Sequence, residues 1–416
     1  MKRKLCLLLS ILLLITLSLF LFSSCAGEGE KKHVTLYVYN WGEYISDGSE
    51  GSLDVNRAFE EYCREELGLN VTVNYSTFSS NETMYAKVKS GSTSYDVIVP
   101  SDYMIERMVK DDLLAPLDLD RLENYQYIDE AFKGDNVYYE GDSENSYSVP
   151  YFYGMVGVIY NETIVDPNDE QIGSWDLMWD EEYKGNILQF NNSRDAFGTA
   201  LYKLGYDVND YDETRWREAL DELLAQKEIV QGYVMDEIFN KMKSDSAGIA
   251  AYYAGDYLSM YEENENLSFY YPTEGTNIYV DAMCIPKTSQ NYDLAMEYID
   301  FMCRKDIAIE NALYTYYASP LTSVVNDPDY QEAMAEVHED AIDILYGESA
   351  KSVKTQAYLN LSPEGIQGLN ILWEELKAKS SIGNGIYIGC GAILGFLLVL
   401  AVLHILKKRR WSKLYD

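Results

Sequence analysis

The stretch Val34-Thr-Leu-Tyr-Val-Tyr-Asn-Trp-Gly-Glu-Tyr44 is typical of a short strand that runs directly into an aromatic and acidic turn. Trp41, Glu43 and Tyr44 follow the strand end, which is where ligands bind in open α/β folds. Ring faces attract positive charge and a carboxylate neutralises it, so this turn suits an organic cation. A buried tryptophan beside a solvated glutamate explains the same residues equally well at this point.

The first third of the chain alternates between strand and helix patterns. This alternation indicates a mainly parallel sheet with helices on both faces. Strands are predicted at 34–39, 70–75 and 95–99, and helices at 53–67, 83–89 and 104–110, with Ser79-Ser-Asn-Glu82 as a helix cap.

The centre of the chain contains a longer extended run, 149–160, which is suited to a strand that crosses between two lobes. Residues 26–380 exceed the size of one usual hydrophobic core, so two lobes are expected. Further strands are predicted at 247–253, 268–271 and 278–285, and helices at 175–183, 195–204 with Ser193 as a cap, 293–303 and 307–314.

Two hydrophobic segments lie near the chain ends. A basic start, an apolar run over 5–22 and Ser23-Ser-Cys25 describe an export signal of residues 1–25. The small residues before Cys25 resemble a bacterial lipoprotein cleavage box, so Cys25 is the expected lipidation site and 26–33 a flexible tether. An uncleaved membrane anchor is the alternative.

The second segment, 386–406, has no formal charge and is long enough to cross a bilayer. Residues 407–416 begin with four bases, which predicts a cytoplasmic tail and places the preceding domain outside the cell. The expected location is therefore the outer face of the cell membrane.

The chain is strongly acidic, with 68 acids against 33 bases and a net charge of −35. Eight of the bases lie in the two end segments, so the middle is more acidic still. Such a surface repels nucleic acid and attracts cations, which excludes nucleic acid as a partner.

Few residues suit catalysis or metal binding. Of three histidines only His338 falls in the folded part, in an acidic helix expected to be solvated, and no nucleotide-binding, metalloprotease or serine-hydrolase motif is present. Cys63, Cys284 and Cys303 cannot all pair and are expected to be small core residues. We therefore expect a binding protein with no catalytic residues, metal or cofactor, although paired carboxylates leave a surface hydrolase open.

Several motifs resemble the spermidine/putrescine-binding proteins of polyamine ABC transporters. The order and spacing hold over about 34–379. The motifs are Leu36-Tyr-Val-Tyr-Asn-Trp-Gly-Glu-Tyr44, Ser80-Asn-Glu-Thr-Met-Tyr-Ala-Lys87, Tyr95-Asp-Val-Ile-Val-Pro-Ser101, Val149-Pro-Tyr-Phe-Tyr-Gly154, Glu182-Tyr-Lys-Gly185 and Val280-Asp-Ala-Met-Cys-Ile-Pro286.

The resemblance implies a two-lobed α/β fold of the periplasmic-binding-protein type (type II) with hinge-crossing strands. Lobe 1 would comprise 34–152 and 275–322, and lobe 2 would comprise 153–274 and 323–379. It also implies capture of putrescine or spermidine by a monomeric domain, with delivery to an ABC permease and its ATPase. The implied ligand-binding residues are Trp41, Glu43, Tyr44, Ser101, Tyr103, Asn192, Asp195, Tyr253, Tyr279, Asp281 and Tyr317.

This chain departs from the family pattern at several of these positions. Asn192 replaces one of two acids, so it can accept a hydrogen bond but cannot neutralise an ammonium, which leaves the choice between spermidine and putrescine open. Tyr253 and Tyr279 replace two tryptophans, Gly42 replaces a hydroxyl residue, and Leu359 replaces a late glutamine.

Two other ligand classes remain open from the sequence. Two-lobed ferric-ion binders use paired tyrosinates, and the pairs Tyr252-Tyr253 and Tyr316-Tyr317 would suit iron. An amino acid, sugar or peptide with a carboxylate would require an arginine in the cleft, for which Arg194 is the candidate.

Overall fold

The structure is a computed structural model that describes residues 33–133 and 146–378. The export segment with Cys25, most of the tether, the segment 386–406 and the basic tail lie outside the described residues. Among the helices of the described ranges, none is both long enough and apolar enough to cross a membrane.

Each strand predicted from the sequence overlaps a strand of the structure. The strands are β1 (His33–Trp41), β2 (Asn70–Phe78), β3 (Val97–Ile98), β4 (Val149–Asn161), β5 (Ile187–Phe190), β6 (Val230–Val234), β7 (Ile249–Tyr253), β8 (Leu267–Tyr270), β9 (Thr276–Met283) and β10 (Thr355–Ala357). The helices are α1 (Val55–Glu65), α2 (Asn81–Ser90), α3 (Asp102–Lys110), α4 (Ser193–Lys203), α5 (Glu213–Lys227), α6 (Glu237–Lys243), α7 (Ala254–Tyr261), α8 (Tyr292–Met302), α9 (Lys305–Thr315), α10 (Thr322–Val325), α11 (Pro328–Val337), α12 (Ala341–Tyr346), α13 (Glu348–Ser352) and α14 (Pro363–Ala378). Strands β5, β6 and β10 and several of the helices were not predicted.

The first lobe is built on a small parallel sheet in the order β2-β1-β3. Helix α1 buries Val55, Phe59 and Cys63, which share one face because they are spaced four residues apart. Asp54 caps this helix by accepting a hydrogen bond from the backbone N–H of Arg57 at 3.0 Å. The parallel sheet expected for the first third of the chain is confirmed.

The larger sheet is mixed, in the order β10-β9-β4-β7-β5-β6, with β8 also paired to β4. The first half of β4 pairs with β9, and its second half pairs with β7 and β8. Strand β9 then continues toward the first lobe, where Cys284 bridges to Ile98 of β3. The long strand predicted over 149–160 is present as β4, and its crossing between the lobes stays a prediction.

The structure corrects the helix predicted over 175–183. Two short 3₁₀ segments, Trp175–Trp179 and Glu181–Tyr183, stand there instead. Asp180 between them is extended, and its side chain accepts from the backbone N–H of Glu182 at 2.8 Å. A capping bond of this kind competes with continuation of a helix.

The prediction that His338 is solvated is also wrong. His338 ends α11 and is half-buried, with its ring 4.5 Å from that of Tyr261 and its Nε2 3.2 Å from the hydroxyl of Tyr257. The three cysteines of the described part are buried and unpaired, as predicted.

Candidate functional site

One cleft between the lobes collects all eleven residues predicted for the site. It encloses about 850 Å³, part of it open to solvent. Most of its walls are residues at or after the carboxyl ends of β1, β2 and β3 in the first lobe and of β5, β6 and β7 in the second, and β9 adds Asn277, Tyr279 and Asp281. Ligands of α/β folds usually bind at the carboxyl ends of parallel strands, and this cleft lies at such a position.

The turn after β1 forms one side of the cleft mouth. Glu43 has a left-handed backbone with φ of 48°, which is uncommon for a residue other than glycine. Trp41 is half-buried and packs on Phe78 with ring centroids 4.5 Å apart. The acid is therefore placed at the cleft by a strained backbone rather than by a regular element.

Asp281 on β9 lies at the base of the cleft and is only 5% exposed. Its Oδ2 accepts a 2.7 Å hydrogen bond from the hydroxyl of Tyr44, whereas its Oδ1 is buried and no hydrogen bond of good geometry reaches it. Burial raises the pKa of this carboxyl from 3.8 to about 6, although the nearby hydroxyls of Ser101 and Tyr44 oppose the shift. A buried anion with one unpaired oxygen is a strong acceptor for a cation that enters the cleft.

Asp195 lies in the first turn of α4. Its Oδ2 accepts hydrogen bonds from the Tyr253 hydroxyl at 2.7 Å and from the amide of Asn192 at 2.8 Å. Burial raises the pKa of Asp195 despite these donors. The cap of this helix is Asn192, whose Oδ1 accepts from the backbone N–H of Asp195 at 2.8 Å, so the expectation that Ser193 caps it is wrong.

Ser101 and Tyr103 lie at the start of α3 and are tied to α2. Asn81 donates to the Ser101 hydroxyl at 3.0 Å, and the Tyr103 hydroxyl donates to Oε1 of Glu82 at 3.0 Å. Burial raises the pKa of Tyr103 well above its usual range. Both residues therefore line the cleft as neutral hydroxyls.

The remaining predicted tyrosines form an aromatic wall that consists of two edge-to-face pairs. Tyr44 contacts Tyr317 edge to face at 4.6 Å, and Tyr253 contacts Tyr279 in the same way at 5.2 Å. The hydroxyl of Tyr279 is buried without a partner. Leu359 lies outside this wall, 44% exposed, while its neighbour Tyr358 lines the cleft.

Four acids of the cleft were missed in the sequence analysis. Each follows a strand end, at or near the start of a helix, and that position is the signal that could have identified them. They are Glu82 after β2, Asp102 after β3, Asp236 after β6 and Asp256 after β7. Asp256 accepts a 2.7 Å hydrogen bond from Tyr317, and burial raises its pKa to about 8.

The cleft is predominantly acidic. Seven aspartates and glutamates line it and Arg194 is its single basic residue, although burial raises the pKa of Asp102 and Asp256 enough to favour their neutral forms. Burial, with repulsion between neighbouring acids, raises the pKa of Glu43, Asp195 and Asp281, so the surrounding donors compensate their charged forms only in part. A bound cation would supply that compensation.

The terminal nitrogens of Arg194 are hydrogen-bonded within the protein, whereas its Nε is buried without a partner. Its terminal nitrogens donate to the carbonyls of Val208 at 2.9 Å and Leu359 at 3.1 Å, and to the side chain of Asn209 at 2.9 Å. Its guanidinium also lies 4.4 Å from the ring of Tyr358. This geometry disfavours Arg194 as the partner of a ligand carboxylate.

The paired tyrosines do not suit iron. Tyr253 donates to Asp195 and Tyr317 to Asp256, and burial raises the pKa of both phenols well above the usual range. Iron would require tyrosinates, the form that burial opposes. Within 33–133 and 146–378, no group of three or more histidine, cysteine or acidic side chains could hold a metal ion.

Comparison with known proteins places the chain in a family. The family described as bacterial extracellular solute-binding protein matches residues 57–336. A spermidine/putrescine-binding periplasmic protein of Escherichia coli is 31% identical over 287 residues, which are 69% of this chain and 77% of that protein. A protein of the same name numbered 1, from Haemophilus influenzae, is 30% identical over 83% of this chain and 89% of its own length.

Solved structures agree with these relatives. A putative spermidine/putrescine ABC transporter protein from Listeria monocytogenes has a TM-score of 0.71 and 34% identity, covering 82% of this chain and 98% of its own. A spermidine/putrescine substrate-binding protein from Streptococcus pneumoniae has a TM-score of 0.62 and 32% identity. The match covers 83% of this chain and 98% of that protein's chain. The resemblance drawn from the motifs is thus confirmed, as is the two-lobed fold, and the expectation of a binding protein rather than an enzyme holds. The chain belongs to the bacterial extracellular solute-binding proteins.

Proposed function

We propose that this protein captures polyamines outside the cell and delivers them to an ABC permease and its ATPase. The observation on which this rests is the unpaired, buried Oδ1 of Asp281 in a cleft lined by seven acidic residues and one arginine. Relatives named for spermidine, putrescine and cadaverine support the same ligand class.

A polyamine is a methylene chain with ammonium groups at intervals, and the cleft offers a partner for each part. Glu43, Asp195 and Asp281 would bind ammonium groups by charge-assisted hydrogen bonds. Trp41, Tyr103, Tyr253, Tyr279 and Tyr317 would cover the methylenes with ring faces, at about 0.5–2 kcal/mol for each ammonium contact. Tyr44, Ser101 and Asn192 would hold these groups in position.

The ligand would close the two lobes on each other. The proposed boundaries place 34–152 and 275–322 in lobe 1, and 153–274 and 323–379 in lobe 2. Glu43 and Asp281 then act from the first lobe, and Asp195 from the second. An ammonium group placed between acids of the two lobes would attract both acids and so offset their mutual repulsion. Closure of the lobes would therefore depend on the charge of the ligand.

Calorimetry of the full chain in detergent tests this function. We expect putrescine or spermidine to bind with one site per chain, and butylamine, which has one ammonium, to bind at least about tenfold more weakly because it engages fewer acids. Glutarate, with two carboxylates, should not bind. Absence of binding by every polyamine would refute the proposal.

We also propose that the protein is held on the outer face of the membrane as a monomer. Lipid on Cys25 would anchor the start of the chain, and a helix over 386–406 with a cytoplasmic tail over 407–416 would anchor the end and dock the binder beside its permease. Fatty-acid labelling of the chain and of Cys25→Ser tests the lipid. Uptake that is unchanged after deletion of 386–406 would contradict docking.

A further inference from the structure

Gly42 and Asp236 approach each other closely at the mouth of the cleft. A Cβ atom built on Gly42 would lie 2.7 Å from Oδ2 of Asp236, and the three atoms nearest to it all belong to Asp236. That separation is shorter than any ordinary contact. The carboxylate of Asp236 therefore occupies the space that a side chain at position 42 would need.

The two residues come from opposite sides of the cleft. Gly42 and Glu43 follow β1 of the small parallel sheet, while Asp236 follows β6, an edge strand of the large sheet. The missing side chain on one side thus admits a carboxylate from the other.

Glu43 and Asp236 are both exposed to solvent at the cleft, and they repel each other. The pKa of Glu43 is raised by burial first and by Asp236 next. In the described part of the chain neither acid forms an ion pair, and Lys243, which lowers the pKa of Glu43, is itself paired with Glu263 at 2.5 Å. Asp256 lies near both acids and has its pKa raised in the same way.

The same cleft also contains the unpaired Oδ1 of Asp281, which is buried and independently indicates a cationic ligand. We propose that Glu43 and Asp236 form a clamp, one acid from each lobe, around one terminal ammonium of the ligand. Gly42 admits Asp236 to this position, and Asp236 restores to the second lobe the negative charge that is missing at Asn192. This inference rests on the proposed polyamine function.

The clamp makes a ligand with three ammonium groups compatible with the cleft despite Asn192. One end is held by Glu43 and Asp236, and Asp281 and Asp195 remain for the other charges. The loss of one family acid therefore does not restrict the ligand to diamines.

Calorimetry of the full chain with putrescine and spermidine tests the clamp. Asp236→Asn should bind both polyamines about tenfold more weakly or worse, because a charge-assisted contact is lost. Asp221→Asn, which removes the same charge on the exposed surface of α5, should bind within about twofold of the unchanged protein. Equal circular dichroism spectra of the empty proteins would exclude misfolding.

A double-mutant cycle separates the clamp from a general loss of charge. Gly42 does not have a left-handed backbone, so alanine fits the backbone and disturbs chiefly Asp236. Gly42→Ala alone should weaken binding about threefold or more, yet change it by less than about twofold in the Asp236→Asn background.

The outcomes distinguish this inference from the function on which it rests. If the unchanged protein binds no polyamine, the proposed function is wrong. If it binds and Asp236→Asn binds equally well, or the two substitutions are additive, the clamp is wrong and the function stands. If the unchanged protein binds spermidine at least as tightly as putrescine, the role of Asp236 is supported. If it rejects spermidine, that role is overturned.

Discussion

Replacing Asp281 by asparagine should stabilise the empty protein while weakening its binding of polyamines. Asp281 is 5% exposed and its Oδ1 has no partner, so its charge is poorly compensated before the ligand arrives. The amide of Asp281→Asn has the same shape and can still accept the hydrogen bond that Tyr44 donates at 2.7 Å. The substitution therefore removes the charge and leaves the packing intact.

The expected magnitude follows from the raised pKa. Burial moves the pKa of Asp281 from 3.8 to about 6, and each pKa unit corresponds to about 1.4 kcal/mol, so the charged form costs the folded state about 3 kcal/mol. The folded pKa exceeds the unfolded one, so this cost is absent below pH 3.8, grows as the pH rises toward 6 and is complete above it. Loss of the charge should weaken polyamine binding about 10- to 100-fold.

Urea unfolding of the empty proteins at pH 5 and pH 7.5, with calorimetry at pH 7.5, measures both effects. Asp281→Asn should gain about 3 kcal/mol of unfolding free energy at pH 7.5 and less at pH 5. Asp221→Asn serves as the surface control for the change in net charge. A variant that is less stable than the unchanged protein at pH 7.5, or that binds polyamines equally well, would refute the reasoning.

Three further substitutions test individual parts of the site. Glu43→Gly should relieve the left-handed strain, stabilise the empty protein by about 1 kcal/mol and weaken polyamine binding, as urea unfolding and calorimetry would show; a loss of stability would contradict the strain. Tyr253→Phe keeps the ring but removes a donor from Asp195, so the pKa of Asp195 should rise further and polyamine affinity at pH 6 should fall about fivefold; unchanged affinity would show that the bond is irrelevant. Asn192→Asp keeps the helix cap and adds a charge beside Asp195, so it should favour spermidine over putrescine more than the unchanged protein does; an unchanged calorimetric ratio would contradict a role for position 192 in ligand charge.

The order of the elements and the place of the site could be predicted from the sequence. The turn after β1 carries two aromatic rings and an acid. Strands alternate with helices in this part of the chain, so the carboxyl ends of the parallel strands had to meet in one cleft. All eleven residues carried over from the family pattern line the cleft, although Tyr279 and Asp281 lie within β9 and Tyr317 follows α9.

Other features depended on contacts between distant residues. Asp236 and Asp256 look like ordinary acids beside a helix start, and only the approach of the two lobes brings them to Glu43. Asn192 and Ser193 are equally good caps in sequence, and the bond to the backbone of Asp195 decides between them. The half-buried ring of His338 depends on Tyr257 and Tyr261, which lie far away in the chain.

A crystal structure of the chain with putrescine or spermidine tests the central claim most directly. We predict closed lobes with the ligand in the cleft, an ammonium nitrogen within hydrogen-bonding distance (about 3 Å) of Oδ1 of Asp281, and the methylenes against the rings of Tyr253 and Tyr279. A ligand bound elsewhere, or an Oδ1 that stays unpaired in the complex, would contradict the account.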